Sequence, residues 1–391
     1  MVGAVVTCVI GTRPEAVKMA PVIARLRDEV LGLNLRIVTT GQHRGLLDQA
    51  LADFDLMPDV DLDLMRPGQG LAELTSRSLK ALDALFATQR PDLVLSVGDT
   101  TTVLSTALAC YYRQVPFGHI EAGLRTGDPL APFPEEKHRE VAARLATLHF
   151  APTEAARANL IAEGINPAAI HLTGNTAIDA LQMVARRTVA LPVRPSTKRF
   201  ALVTTHRREN FGAPLAEICQ ALVDLLDQDQ GLSVVLPIHP NPAVRPTVEA
   251  YLAHHPRAHL IEPVGYAEFV ALMKASWIIL TDSGGIQEEA PSLGKRVLVL
   301  REATERPEGV TSGGAQVVGS DRQAIRAAVE RLRDEPDLAA PFFNPFGDGH
   351  ASDRIARVVA RHQGCHVPTL PPGVPEVWEA RVVERSTSPR S

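Results

Sequence analysis

The chain has 391 residues, a formal net charge of −5, 45% hydrophobic and 22% charged residues. That length predicts two cores rather than one, and that balance excludes a predominantly disordered chain. A mildly acidic chain without a long Lys/Arg block carries no nucleic-acid footprint, so no nucleic-acid partner is expected and any anionic ligand must be held locally.

In chain order, "AVVTCVIGTRPEA" opens as a buried strand rather than a signal peptide, because it lacks a basic n-region and runs straight into a charged turn. No apolar run approaches the ~18 residues of a membrane span, so no membrane association and a cytoplasmic location are expected. The runs "LRIVTTGQH", "DLVLSVGDTTT", "VPFGHIEAG" and "TLHFAPT" follow, each leading into a helical pattern. Near-continuous apolar strands alternating with amphipathic helices predict a parallel sheet covered on both faces. The same grammar restarts after the Pro/Arg/Ser-rich "LPVRPSTKR" with "FALVTTHRREN", "LSVVLPIHPNP", "AHLIEPV", "WIILTDSGG" and "RVLVLREATERPE". The fold expected is α/β, two doubly wound Rossmann-like domains facing a cleft. Their bounds are placed at 1–175 and 176–346, with a closing helix at about 347–363 returning to the first. The proline- and charge-rich tail 366–391 is expected to be disordered. The cysteines Cys8, Cys110, Cys219 and Cys365 stand singly, without the C-x-x-C spacing of a zinc knuckle or a disulfide scaffold.

In such sheets ligands gather at the carboxyl ends of strands, which singles out the residues after each apolar run. Gly11, Arg13, Glu15 and Lys18 follow the first strand, and their cations suit a diphosphate, although a helix start with Pro14 in its first turn reads as well. Asp99 in isolation is better read as a helix N-cap. Glu121 in "HIEAGLRTGD" is not explained by capping, and partial burial would raise its pKa toward the range of a general acid or base. Glu135 and Glu136 follow a Pro-Phe-Pro loop, and three carboxylates reaching one cleft are more specific than any one alone. In the second half, His206 with Arg207 and Arg208, then His239, end successive strands and suggest an anion site; no spacing supports a metal. "TDSGGIQEEAPSLGK" (281–295) offers Ser283, Gly284 and Gly285 as donors at a helix start, with Glu288 and Glu289 one turn in and Arg306 on the next loop. It is neither G-x-G-x-x-G nor G-x-x-x-x-G-K-[ST], so nicotinamide and ATP readings lose support.

Taken together, "GTRPEAVKMAP", "GQHRGLLDQ", "PGQGL", "GDTTTVLST", "HIEAGLRTGD", "PFPEE", "TGNTAIDAL", "HRREN", "PIHPNP", "TDSGGIQEEAPSLGK" and "ATERPEGV" resemble the non-hydrolysing UDP-N-acetylglucosamine 2-epimerases, collinearly from about residue 5 to 360. That family shares the GT-B architecture. The resemblance implies reversible conversion of UDP-N-acetylglucosamine to UDP-N-acetylmannosamine, through elimination of UDP to 2-acetamidoglucal and its re-addition, with neither metal nor cofactor. It implies catalytic positions at Asp99, Glu121, Glu135 and His206, and substrate contacts at Arg13, Lys18, Phe269, Ser283, Gly284, Gly285, Glu289 and Arg306. It further implies a homodimer, and a second UDP-N-acetylglucosamine as activator at Gln42, Glu136, Arg207 and His239. The chain departs from the family pattern at Gly45, where a longer side chain is usual, at His138, where Asn is usual, and at Val264, where a polar residue is common.

Two alternatives share the nucleotide site. A UDP-sugar glycosyltransferase of the same architecture would need an acceptor groove and would tolerate loss of the carboxylate trio. A hydrolysing epimerase would release free N-acetylmannosamine. Within the trio, one carboxylate takes the C2 proton and another delivers it, and the sequence leaves open which does which.

Overall fold

The apolar runs become strands β1 (Val5–Ile10), β2 (Asn34–Thr39), β3 (Val60–Asp61), β4 (Leu93–Val97), β5 (Phe117–Ile120), β6 (Leu148–Ala151) and β7 (Ile170–Leu172). A second set follows: β8 (Arg199–Thr204), β9 (Leu232–Pro237), β10 (Ala258–Ile261), β11 (Ile278–Thr281), β12 (Arg296–Val299) and β13 (Ala315–Val317). This computed structural model describes residues 3–41, 44–66, 68–334 and 343–379. The strands form two sheets, in the orders β3-β2-β1-β4-β5-β6-β7 and β10-β9-β8-β11-β12-β13. Pairing is parallel, from β1 on β2 and β4 in the first sheet to β11 on β8 and β12 in the second. The buried runs of β4 and β11 are what a sheet covered on both faces requires. No helix among the described residues is long and apolar enough to cross a membrane.

Both orders reverse once, between β1 and β4 and between β8 and β11. At such a switch point adjacent loops diverge and leave a crevice at the carboxyl ends of the strands. The loops leaving those four strands begin at Gly11, Gly98, Thr205 and Asp282, where the sequence motifs lie. Gly11 is demanded by packing: a Cβ there would collide with the Thr102 hydroxyl and come within 2.8 Å of Thr40 Oγ1.

The described chain divides into two compact units, one within Met1–Met183 and Phe346–Ala380, the other within Val184–Pro345. In the first, Leu82, Phe86, Val94, Val103, Phe117 and their neighbours pack a core around the sheet. In the second, Val203, Ile218, Leu222, Val234, Leu280 and Ile325 do the same. The break follows Met183 rather than residue 175. Asp179, on the helix Thr176–Ala185, is the reason: buried, it accepts from Ser352 N at 2.7 Å, Ser352 Oγ at 2.5 Å and Ala351 N at 3.2 Å, tying that helix to the start of the helix Ala351–His362. The latter packs on the helix Arg13–Leu26, where Arg25 pairs with Asp353.

The tail differs from its expectation of disorder as far as residue 379. Trp378 is buried, its backbone N–H donating to Leu172 O on the edge strand β7 at 3.1 Å. The Arg354 guanidinium lies over its ring, and Arg354 Nε donates to Pro375 O at 3.0 Å. One large aromatic anchor supplies the apolar burial that the composition of the segment as a whole does not. Residues 380–391 lie outside the described residues.

Candidate active site

The first unit gathers its charged residues at the β1/β4 switch point and the adjoining end of β5. Thr100, not Asp99, caps the helix Thr101–Arg113: its hydroxyl accepts from Thr102 N at 3.1 Å. Asp99 is thereby released from the capping role that its sequence position favoured. Its Oδ2 lies 2.7 Å from Arg139 Nη2. Burial raises the Asp99 pKa, Arg139 and Lys18 pull against it, and Glu121 and Glu135 add to it. That set of influences brings Asp99, Glu121 and Glu135 into one electrostatic cluster.

Glu121 follows β5 in a left-handed backbone conformation, φ 65°, which costs a non-glycine residue about 1–3 kcal/mol and marks a site whose surroundings hold it in place. Its carboxylate takes both bonds from Lys18 Nζ, at 2.5 and 2.7 Å. Beneath it, His119 is fully buried, and its Nε2 donates to Gly98 O at 2.7 Å. Burial pushes the His119 pKa down to about 4, so it is neutral at physiological pH and braces the backbone between β4 and β5. Glu135 opens the helix Glu135–Leu145 half-buried, its carboxylate making no hydrogen bond or ion pair to any described residue.

Glu15 is buried at the start of the helix Arg13–Leu26. Its carboxyl accepts from Gly11 N at 2.5 Å, Thr12 N at 3.1 Å and Thr100 Oγ1, stitching the β1 and β4 loops together. Arg13, on the same first turn, is half-buried. Glu136 is fully buried, and its Oε1 accepts from Thr126 N at 2.9 Å and Gly127 N at 3.0 Å. In this structure it holds the loop after Glu121. Gln42 lies outside the described residues.

The second unit builds its site on β8 and β11. Asp282, buried at the end of β11, accepts from His206 N and Arg207 N at 3.0 Å and from Asn210 Nδ2 at 3.0 Å, and its Oδ1 lies 3.1 Å from His206 Nδ1. Burial alone would raise its pKa, but these donors outweigh it and hold the carboxyl below its ordinary value. His206 and His239 stack with ring centroids 5.7 Å apart, and Arg207 is half-buried beside them. Burial and the neighbouring His206 lower the His239 pKa.

Ser283 occupies the N-cap position of the short helix Gly284–Glu289 without a side-chain capping bond, and the helix's first backbone N–H groups have no intrahelical acceptor. A Cβ on Gly284 would meet Arg306 Cζ and Nη1 at 2.6 Å, so glycine lets that guanidinium lie against the turn. Arg306 Nε donates to Glu288 Oε1 at 2.7 Å, and Tyr266 OH donates to Glu289 Oε1 at 3.2 Å. Phe269 is half-buried one turn beyond Tyr266 on the helix Tyr266–Ala275. Three backbone donors and a guanidinium around one turn suit a diphosphate, and a buried carboxylate one turn on suits a ribose diol.

Sequence reasoning missed Arg139 and Asp282. Arg139 stands mid-helix in "EEKHRE", where a charge reads as solvated surface, and only its burial against Asp99 reveals it. Asp282 carried a usable signal, a carboxylate between an apolar strand and a glycine turn.

A family model described as UDP-N-acetylglucosamine 2-epimerase matches residues 26–360. The UDP-N-acetylglucosamine 2-epimerase of Escherichia coli (strain K12) is 47% identical over 372 residues, covering 92% of this chain and 99% of that protein. Its namesake from Bacillus subtilis (strain 168) is 44% identical over 364 residues, covering 92% and 96%. Among solved structures, a UDP-GlcNAc 2-epimerase from Neisseria meningitidis bound to UDP-GlcNAc is similar with a TM-score of 0.82 and 42% identity, over 91% of this chain and 100% of that one. With a model match over most of its length and relatives of this identity along nearly the whole chain, the protein belongs to the UDP-N-acetylglucosamine 2-epimerase family.

Proposed function

We propose that the enzyme interconverts UDP-N-acetylglucosamine and UDP-N-acetylmannosamine reversibly and without net hydrolysis. The C2 hydrogen of the sugar is not acidic by itself, so its removal must accompany C1–O cleavage. In the forward half, a carboxylate takes the C2 proton, the C1–O bond breaks with its electron pair leaving on UDP, and a C1=C2 double bond forms in 2-acetamidoglucal. In the return half, a proton reaches C2 on the opposite face and the UDP oxygen re-forms the bond to C1. Atoms and charge balance with no redox partner. The observation that carries this reading is the convergence of Asp99, Glu121 and Glu135, a cluster that simple UDP-sugar binding does not need.

The two units divide the labour in this proposal. The first supplies proton transfer and stabilises positive charge developing at C1. The second supplies Ser283, the glycine N–H groups, Arg306 and His206 for the departing diphosphate. Lys18 neutralises Glu121 until the sugar arrives, and Glu289 and Phe269 orient the nucleoside.

Incubation with UDP-N-acetylglucosamine in D2O, followed by NMR, tests it. Deuterium is expected at C2 of both UDP-sugars, whereas free N-acetylmannosamine without UDP-N-acetylmannosamine would overturn it in favour of hydrolysis. Glu121→Gln is expected to abolish C2 exchange and to leave UDP affinity within about twofold, read by calorimetry.

A further inference from the structure

The carboxylates of the first unit differ in how they are paired. Glu121 faces the amine of Lys18 and Glu135 has no ion-pair partner among the described residues, but Asp99 is held by a guanidinium that is itself nearly buried. That guanidinium, Arg139, does two things at once. Nη2 binds Asp99 Oδ2 at 2.7 Å, and Nη1 lies 3.6 Å from Oε2 of the fully buried Glu136. Glu136 in turn holds Thr126 N and Gly127 N, in the loop that begins at Glu121. From the preceding residue, His138 Nδ1 donates to Asp99 O at 3.2 Å. The helix Glu135–Leu145 thus fixes both the backbone and the carboxylate of Asp99, and one buried cation spans the loops after β4 and β5.

We propose that Arg139 is a positioning residue for epimerisation, acting through Asp99: it aims that carboxylate and locks it in register with the loop that follows Glu121. This rests on the reading of Asp99 as an acid–base group. The geometry favours Arg for the task, because its planar fork can address two carboxylates along separate N–H directions while lysine presents a single point charge. The groups facing Asp99 are Arg139, His138 and Glu135 on its helix side, Glu121 after β5, and Lys18 and Glu15 from the helix Arg13–Leu26. Arg139 and Lys18 are the cations in that set, so losing Arg139 leaves Asp99 among three acids with one cation.

The test compares Arg139→Gln, Arg139→Lys and Asp99→Asn by the pH dependence of C2 deuterium exchange, with UDP affinity and Tm measured alongside. For Arg139→Gln, kcat is expected to fall about ten- to a hundredfold, as when an orienting partner is lost elsewhere. KM is expected to hold, and the limb of the pH profile governed by Asp99 to move up by about one to three pH units, the size of an Arg–Asp pairing effect. The sign is fixed: removing a cation raises the carboxyl pKa whether Asp99 acts as acid or base. Arg139→Lys is expected to restore most of the pH profile and only part of kcat. An unshifted profile in both variants, with kcat reduced in proportion to the loss of folded protein, overturns the proposal. If Arg139→Gln does not fold, Arg139→Lys alone decides: wild-type kcat at every pH overturns it. Full exchange by Asp99→Asn would instead overturn the acid–base reading of Asp99, whereas its loss together with an unshifted Arg139→Gln profile sinks only the role of Arg139.

Discussion

Glu15 shows how one buried acid can fasten a site without taking part in its chemistry. Burial lifts its pKa to about 7 despite donation from Thr100, Gly11 and Thr12, and Asp99 nearby adds to the rise. Its folded pKa therefore exceeds its unfolded value of 4.5, so the stability it contributes is present below about 4.5 and is lost as pH rises through about 7. The interval amounts to roughly 3 kcal/mol. Glu15→Gln mimics the protonated acid: its carbonyl can accept from the two backbone N–H groups while its amide donates to Thr100. Relative to wild type, the variant is expected to gain Tm at pH 8 and to gain little at pH 5, measured by calorimetry at both pH values; equal shifts at the two would refute the assignment. His119 and His149 act in the opposite direction. Burial lowers both to about 4, so their neutral forms favour the fold above pH 6.5 and that advantage is lost as pH falls from 6.5 through about 4. Comparing variant with wild type removes that shared background. At this scale the sequence displayed residue types and strand-end positions, enough to select Asp99, Glu121 and Glu135. It could not display direction: only the structure shows that Thr100 caps the helix and Asp99 does not, and that Arg139 turns inward from a helix that reads as surface.

The turn from β11 into the helix Gly284–Glu289 is an element whose shape was legible and whose support was not. An apolar strand, two glycines and a helix-compatible run announce an anion site by their order alone. One support is local, Ser283 N donating to Thr281 Oγ1 at 2.9 Å, but the others come from farther along the chain: Thr304 Oγ1 donates to Gln287 Oε1 at 2.6 Å, and Asn344 Nδ2 donates to Glu288 O at 2.8 Å. The contacts from Thr304 and Asn344 have no local sequence signature. Gly284→Ala probes the element with little risk to the fold, because the added methyl meets the end of a flexible side chain, Arg306, rather than backbone. Arg306 would swing away and keep its charge in solvent. Losing one charge-assisted contact to a diphosphate, worth about 1.5–3 kcal/mol, predicts UDP binding weaker by at least about tenfold with Tm changed little. Calorimetric titration with UDP checks it; unchanged affinity would show that Arg306 does not contribute to the diphosphate grip.

Across the whole molecule, each unit has its own sheet and its own core, and the alternation of apolar strands with helices made that plan legible from the sequence. Strand order was not legible, because parallel crossovers carry no local mark of which neighbour they reach. Nor was the fate of the tail, since composition averages over a segment while anchoring depends on a single residue. The first unit is completed by chain that returns after residue 345, and its last described residues lie along β7, the edge of the seven-stranded sheet. An edge strand offers unpaired backbone to other chains unless it is covered, and the Trp378 N–H to Leu172 O bond is part of that cover. Trp378→Ala would remove a buried aromatic, leave Arg354 without its ring contact and loosen Pro375, a change that typically costs about 3–5 kcal/mol at a core site. The two units need not unfold as one, so the loss should appear as a lowered transition for the first unit while the second keeps its own. Scanning calorimetry is expected to show one component moved down by several degrees, with UDP affinity, a property of the second unit in this proposal, unchanged and aggregation increased on heating. A thermogram superimposable on wild type would show that the tail does not cover β7 in solution.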